Sequence, residues 1–525
     1  MLGAEAARRA ACPQEVSVSV VPRGRGRPAS RRVLALADDL SGAAETGAAL
    51  RRPSRLVLAP ADETHQGGTA RTDHGARTAY AARTAYAART AARTVAREQA
   101  GAARALVVDL DSRSLPPEQA AAALRTALDA WWDGEQTVFK KADSQLRGNL
   151  PAETAAFAEG ARAVVIAPAL PAQGRTVRGG VVHLDGVPLH RTEAWRAEPR
   201  PAPRSVAVAL AGLPTEAVPL GAVRAGPRAL ARVLSAAAER GHHPVVDAES
   251  DADLDAVAAA ALLLGRDFRL LGSAGLAAAL GRTPEPSAAE PRPAPPPAPP
   301  SERRPLLFVV GTAEPHAVAQ IAQLAAYGAR HVQLTPAELE DPGAVRPLAL
   351  GPDAVTVVSI DGGQGVRPSA APTLAAALAR TVADAAGGAD LVLTGGETAR
   401  RVLDALGVRE LTPLAEIHPG AVHALAPDGR SVVTRPGSHG GRDSLRTIAA
   451  ALRPAPVPAP APGPPPPPSA VSEPNPPNPP HSARQFSPQH ESPSHNGPPH
   501  DGPPQHSPPQ DTPVPSPVAP SGDTT

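Results

Sequence analysis

The sequence predicts an α/β protein: two three-layer α/β domains with mainly parallel sheets, joined by a Pro-rich linker, with disordered N- and C-terminal tails. Three observations predict it. Apolar runs of strand length alternate with Ala-rich helical stretches through residues 32–282 and again through 304–453. That alternation marks parallel strands buried on both faces under covering helices. Between the two segments lies "TPEPSAAEPRPAPPPAPPSE", starting at Thr283, whose proline content makes an extended, semi-rigid linker over 283–303. Residues 1–31 are basic and 454–525 are Pro, Ser and His in a polar background, so neither end can bury a core.

Composition narrows the function classes. The chain has 525 residues, a formal net charge of +1 and only 2% aromatics, so its core must be built from Ala, Val and Leu. No global field favours nucleic acid or an anionic membrane. Cys12 is the sole cysteine, which excludes an internal disulfide and a Cys-rich metal site. No apolar run has the roughly 18 residues of a membrane helix, so a cytoplasmic protein with no membrane and no nucleic-acid partner is expected. Within the first domain, about 64–98 form a low-complexity insertion containing "ARTAYAARTAYAARTAART". It reads as an Ala-rich helix or loop; RNA binding through its Arg and Tyr residues is the minority reading.

In the first domain, "VLALADD" predicts a strand ending in Asp38 and Asp39, with a helix starting at Ser41 or Gly42. Ligands bind outside the carboxyl ends of parallel strands, so this acidic pair sits where chemistry is expected. "ALVVDLDSRS" predicts the next strand and places Arg113 after it, a residue type suited to clamping a carboxylate. "TVFKKADSQLRGN" predicts a strand through Phe139 and then a charged loop. Lys140 and Lys141 are the only lysines of the chain. Where arginine has replaced lysine everywhere else, a retained pair suggests a need for a point-charge ammonium on a flexible stem. Asp143 and Arg147 flank them, and Gly148–Asn149 make a turn. "AVVIAP" leads into "ALPAQGRTVRGG", a turn with donors on Gln173, Gly174, Arg175 and Thr176. His242 and His243 precede the strand "PVVDA" and read as surface residues.

The second domain repeats the scheme with "LLFVVGT", "AVTVVSI", "DLVLTGG" and "SVVT". "VVGTAEP", "TGGETAR" and "PGSHGG" are glycine turns of the kind that present backbone amides to phosphate. No GxxxxGK can exist without a lysine there, which excludes a P-loop, and no well-formed GxGxxG follows a strand.

Taken together, "ADDLSGA", "DSRS", "KKADSQLRGN", "PALPAQGRTVRGG" with "HLDGVPL", "LLGSAGLAAAL", "LVLTGGETA" and "TRPGSHGGRDSL" occur in the order seen in the four-carbon acid sugar kinases. The sequence resembles that family over about 32–452. The resemblance implies an ATP-dependent kinase acting on the terminal hydroxyl of threonate, erythronate or 3-oxo-tetronate, with the acid sugar on the N-terminal domain and nucleotide on the C-terminal one. Carried over by motif, the catalytic group is Asp38, Asp39, Lys141 and Asp143. Substrate contacts fall on Arg113, Lys140, Ser144, Arg147, Gly174, Arg175 and Thr176. Nucleotide contacts fall on Gly311, Thr312, Glu314, Gly395, Gly396, Glu397, Thr398, Gly437 and Gly440.

Three positions depart from the family pattern: Glu314 for a serine, Arg435 for a lysine and His439 for a phenylalanine. They leave open an alternative, a catalytically impaired homologue that senses sugar acid or nucleotide. In the kinase reading, Asp39 or Asp38 is the general base. Arg113 and Arg147 hold the substrate carboxylate, and Lys140 or Lys141 stabilises the transferring phosphoryl. Mg²⁺ travels with ATP. No dedicated metal site is expected, and a homodimer is a possible assembly.

Overall fold

The computed structural model describes residues 32–59, 103–196, 198, 200–284, 304–312, 315–341, 348–351, 354–361, 371–437 and 440–453. The expected tails, most of the linker, the insertion at about 64–98, Glu314 and His439 lie outside them.

In the first lobe, β1 (Val33–Ala37), β3 (Ala105–Asp109), β4 (Thr137–Lys141), β11 (Phe268–Gly272), β5 (Ala163–Ala167), β10 (His243–Val246) and β9 (Thr215–Val218) form a parallel array, with β2 (Ser54–Leu58) beside β3. All five residues of β1, β5 and β11 are buried; β1 and β5 read as unbroken apolar runs for that reason, while β11 carries Arg269, whose Nη1 donates to Phe157 O at 2.6 Å. In the second lobe, β13 (Arg330–Leu334), β14 (Val355–Ile360), β12 (Leu306–Val310), β15 (Asp390–Thr394) and β18 (Ser431–Arg435) are likewise parallel. The antiparallel strands β17 (Ala421–Leu425) and β16 (Glu410–His418) follow β18.

The lobes share one sheet. β16 pairs antiparallel with β2, Glu410 opposite Val57 and Leu411 opposite Leu56, so the described residues contain a continuous sheet of 15 strands. Arg55 Nη2 donates to Glu410 Oε2 at 2.6 Å across this seam. Apart from the sheet, β6 (Arg175–Arg178), β7 (Val181–Leu184) and β8 (Val187–Pro188) make a small antiparallel meander.

Two local expectations are corrected. The strand before the charged loop runs on through Lys141, so both lysines stand on β4 and are buried. β4 hydrogen-bonds to β1 and β11 there, Lys140 opposite Leu36 and Lys141 opposite Gly272, which holds the extended backbone past Phe139. His243 is part of β10 and its Nδ1 accepts from Val164 N at 3.0 Å, tying the strand to β5. Burial accordingly pulls its pKa down.

Candidate active site

Register decides which side chains meet. Ala37 of β1 is level with Asp109 of β3, and Leu36 with Lys140 of β4. Asp38, Asp39 and the loops after β3 and β4 therefore emerge at one edge of the sheet. In the second lobe Val310 is level with Thr394, and Thr394 with Arg435. Gly311–Thr312, Gly395–Thr398 and Gly437 thus follow their strands at a common level.

Asp39 is the N-cap of the helix Leu40–Ala49, its Oδ1 accepting from Gly42 N at 2.8 Å. Arg113 joins the acidic pair: Nε and Nη2 donate to Asp38 at 2.8 and 3.1 Å, and Nη1 donates to Asp39 Oδ2 at 2.7 Å. Burial pushes the Asp38 carboxyl up, but Arg113, Lys140 and Lys141 outweigh it and hold it at about 2. Arg147, expected to face the substrate, instead forks onto Asp143 with Nε at 2.7 Å and Nη2 at 3.0 Å. Against the effect of burial, that guanidinium keeps Asp143 well below the ordinary carboxylate range.

The two lysines diverge. Lys140 is 1% exposed and lies 3.1 Å from Glu153, itself 2% exposed, and it donates to Lys141 O at 3.0 Å. Lys141 turns to Glu45 at 3.3 Å, beside the first turn of the helix that Asp39 caps. Asn149, read as a turn residue, ties the loop after β3 by donating to Ser112 O and Leu115 O at 2.9 and 2.7 Å.

Gly174 has φ 66° and places Arg175 at the start of β6, with Thr176 next on the strand. Arg175 Nη1 donates to Ser144 Oγ, and no carboxylate among the described residues forms an ion pair with it. Its side chain lines a cavity of about 740 Å³ together with Gln145 and Gln173 of the first lobe and His418, Ser444 and Thr447 of the second.

The nucleotide-side turns pack on one another and on the acidic pair. A Cβ on Gly311 would overlap Thr398 Oγ1, and one on Gly437 would touch Thr312 Cγ2 at 3.4 Å. Gly395–Gly396 opens the helix Gly396–Ala405, and a Cβ on Gly396 would lie 2.9 Å from Asp39 Oδ2. Glu397 follows in the first turn, its carboxyl pushed up by burial. Gly440 sits further along the cavity wall, its carbonyl accepting from Gln320 at 3.2 Å. Arg435 is fully buried, donating to Gln320 Oε1 at 2.8 Å and Ser444 Oγ at 3.2 Å, and burial pulls its pKa down to about 10.

Sequence reading missed the ion pairs that dock this helix on the first lobe. Arg400 and Asp109, both 0% exposed, meet at 2.9 Å, and Arg401 reaches Asp111 at 2.9 Å. Burial drives the Asp109 carboxyl up to about 7 against the pull of Arg400. In a helix written "GETARRVLDA", Arg400 looks like a solvated residue, and only the pairing of β2 with β16 brings it to β3. Gly396→Ala is expected to cut turnover sharply while the protein still folds, because the atoms nearest the new methyl are side-chain atoms of Asp39 and Ser41 rather than backbone. Steady-state rates and a thermal melt check it.

A sugar-binding N-terminal domain model matches residues 33–280, and a nucleotide-binding C-terminal domain model matches 307–445. A two-lobed protein that binds a sugar on one lobe and a nucleotide on the other is the class so defined. The chain belongs to the four-carbon acid sugar kinase family. It is 34% identical over 390 residues to a D-threonate kinase of Cupriavidus necator, covering 67% of this chain and 91% of that relative. It is 33% identical over 371 residues to a D-threonate kinase of Bordetella bronchiseptica, covering 67% and 87%. A Salmonella typhimurium LT2 protein described as a candidate tRNA synthase shares the fold, with a TM-score of 0.58 at 20% identity over 79% of this chain and 98% of that one.

Proposed function

We propose that this protein transfers the γ-phosphoryl group of ATP to the terminal hydroxyl of a four-carbon sugar acid, at the seam where Gly395–Gly396 meets Asp39. The observation that carries this reading is the 2.9 Å separating a Cβ on Gly396 from Asp39 Oδ2. The glycine turn of one lobe and the carboxylate of the other are immediate neighbours, so a phosphoryl group held at the turn lies within reach of that carboxylate. Phosphoryl transfer needs positioning and charge neutralisation more than covalent help. The substrate hydroxyl attacks phosphorus, the bond from phosphorus to the ADP oxygen breaks, and the hydroxyl proton passes to Asp39 Oδ2. Arg113 and Gly42 N hold that carboxylate in place, and Lys141 supplies the positive charge beside it.

The substrate carboxylate is assigned to Arg175. Arg113 and Arg147 are occupied by resident aspartates, whereas Arg175 faces the cavity with a serine hydroxyl as its partner. Among the described residues no group of three His, Cys, Asp or Glu could form a protein cage for a metal. Mg²⁺ bound to ATP needs only one or two protein carboxylates, and Glu397 fits that role, since a dication beside it would offset the burial that raises its pKa. The ion would neutralise phosphate charge.

The relatives named D-threonate kinase make D-threonate the first acceptor to try. The test is ATP consumption with D-threonate, L-threonate, D-erythronate and 3-oxo-tetronate. At least one acid should be phosphorylated, and Arg175→Gln should raise KM for that acid about 10- to 100-fold, as loss of a charge-assisted pair predicts. No turnover on any acid would remove the kinase reading; turnover with an unchanged KM in Arg175→Gln would remove only the carboxylate assignment.

A further inference from the structure

We propose that the Ser41 hydroxyl donates a hydrogen bond to the phosphoryl group in transit between ATP and the sugar acid. The proposal rests on the kinase reading above and adds a contact to it. Ser41 is 5% exposed, yet its Oγ has no hydrogen-bond partner. A buried hydroxyl left unmade costs stability, and such groups are rare enough in native proteins that each calls for a physical explanation.

Its position supplies one. Ser41 lies in the first turn of the helix Leu40–Ala49, next to Asp39, and its Oγ is 3.3 Å from where a Cβ on Gly396 would stand. Gly396 begins the helix Gly396–Ala405 in the other lobe. Two ten-residue helices therefore converge on the orphan hydroxyl by their N-termini, each with first-turn amides that have no acceptor within the helix. Both helix dipoles favour an anion at that point. Asp39 is the carboxylate nearest a Cβ on Gly396, and it is paired with Arg113.

The other buried side-chain atoms without a partner among the described residues are His190 Nδ1 and the hydroxyls of Thr356, Thr394 and Thr434. The threonines belong to the second-lobe strands β14, β15 and β18 rather than to a helix start. Ser41 alone of this group is, with Asp39, among the atoms nearest a Cβ on Gly396.

The contact separates stability from activity. Ser41→Ala and Ser41→Cys remove the hydroxyl, the second while filling most of its volume. Both should melt at or above the parent temperature, since an unsatisfied polar group has gone. Both should lose about 100-fold in kcat on the accepted sugar acid, the usual effect of deleting one transition-state donor, with KM for the acid little changed. Calorimetry with the non-hydrolysable analogue AMP-PNP should show weaker binding in both variants. Parent-like kcat and AMP-PNP affinity would overturn the proposal and leave a hydroxyl satisfied by water. A lowered melting temperature tracking the loss of rate would also overturn it, in favour of a packing role. If the parent transfers phosphate to no sugar acid, the kinase reading fails, and AMP-PNP binding still decides whether Ser41 touches the phosphates.

Discussion

Replacing Asp39 with asparagine should abolish phosphoryl transfer while leaving the fold standing. Asparagine is as good an N-cap as aspartate, so the bond from Gly42 N survives and the helix Leu40–Ala49 keeps its start. Arg113 retains its two bonds to Asp38. In the proposed mechanism the reaction loses the acceptor for the hydroxyl proton, an effect of about 10²–10⁴ in kcat for a general base. Asp38 is the weaker base to take over: Arg113 forks onto both its oxygens and its carboxyl is held at about 2, whereas Arg113 spends one bond on Asp39. Rates of ADP release and a thermal melt of the purified variant check the split. Undiminished turnover would mean that another group accepts the proton.

The second large effect concerns the lysines, which should fail in different ways. Lys140→Met removes one member of a buried ion pair and strands Glu153 in the core. Breaking such a pair from one side costs about 3–5 kcal/mol. Burial already pushes the Glu153 carboxyl up, and losing Lys140 removes the main pull in the other direction. A carboxyl whose folded pKa lies above its unfolded value takes up a proton on folding. Its penalty is absent below the unfolded pKa and grows as pH rises through the folded one. Lys140→Met should therefore be least unstable in mild acid and lose stability toward neutral pH. Lys141→Met should instead melt closer to the parent and lose about 100-fold in kcat, since in the proposed mechanism its ammonium stands beside the reacting groups. Urea titrations at several pH values, with rates for both variants, distinguish these outcomes. Equal loss of stability in the two would show that Lys141 is also structural.

Much of the fold was legible because parallel strands buried on both faces leave a plain signature. β1, β3, β5, β12, β14, β15 and β18 all stand where an apolar run stood. β2 alternates buried and half-buried residues, β13 is mostly exposed, and β16 carries Pro413, so none has that signature. The seam between β2 and β16 joins segments some 350 residues apart, and no local pattern encodes such a pairing. The candidate site was legible as types of residue near strand ends: Asp38, Asp39, Arg113 and the glycine turns follow strands, and Arg175 opens β6. Which arginine is already spent on an aspartate, and which lysine is buried with a glutamate, depends on side-chain partners that sequence does not reveal. Ser41 reads in the sequence only as a possible helix start, because a serine in the first turn of a helix looks like part of the cap.

The shared sheet also bears on how such proteins can diversify. Were the two halves separate bodies on a tether, recombination could exchange a sugar lobe or a nucleotide lobe freely between relatives. Here an incoming second lobe must present Glu410 to Arg55, Arg400 to Asp109 and Arg401 to Asp111, and meet β2 in antiparallel register. Exchange of either lobe would therefore have to carry these partners with it.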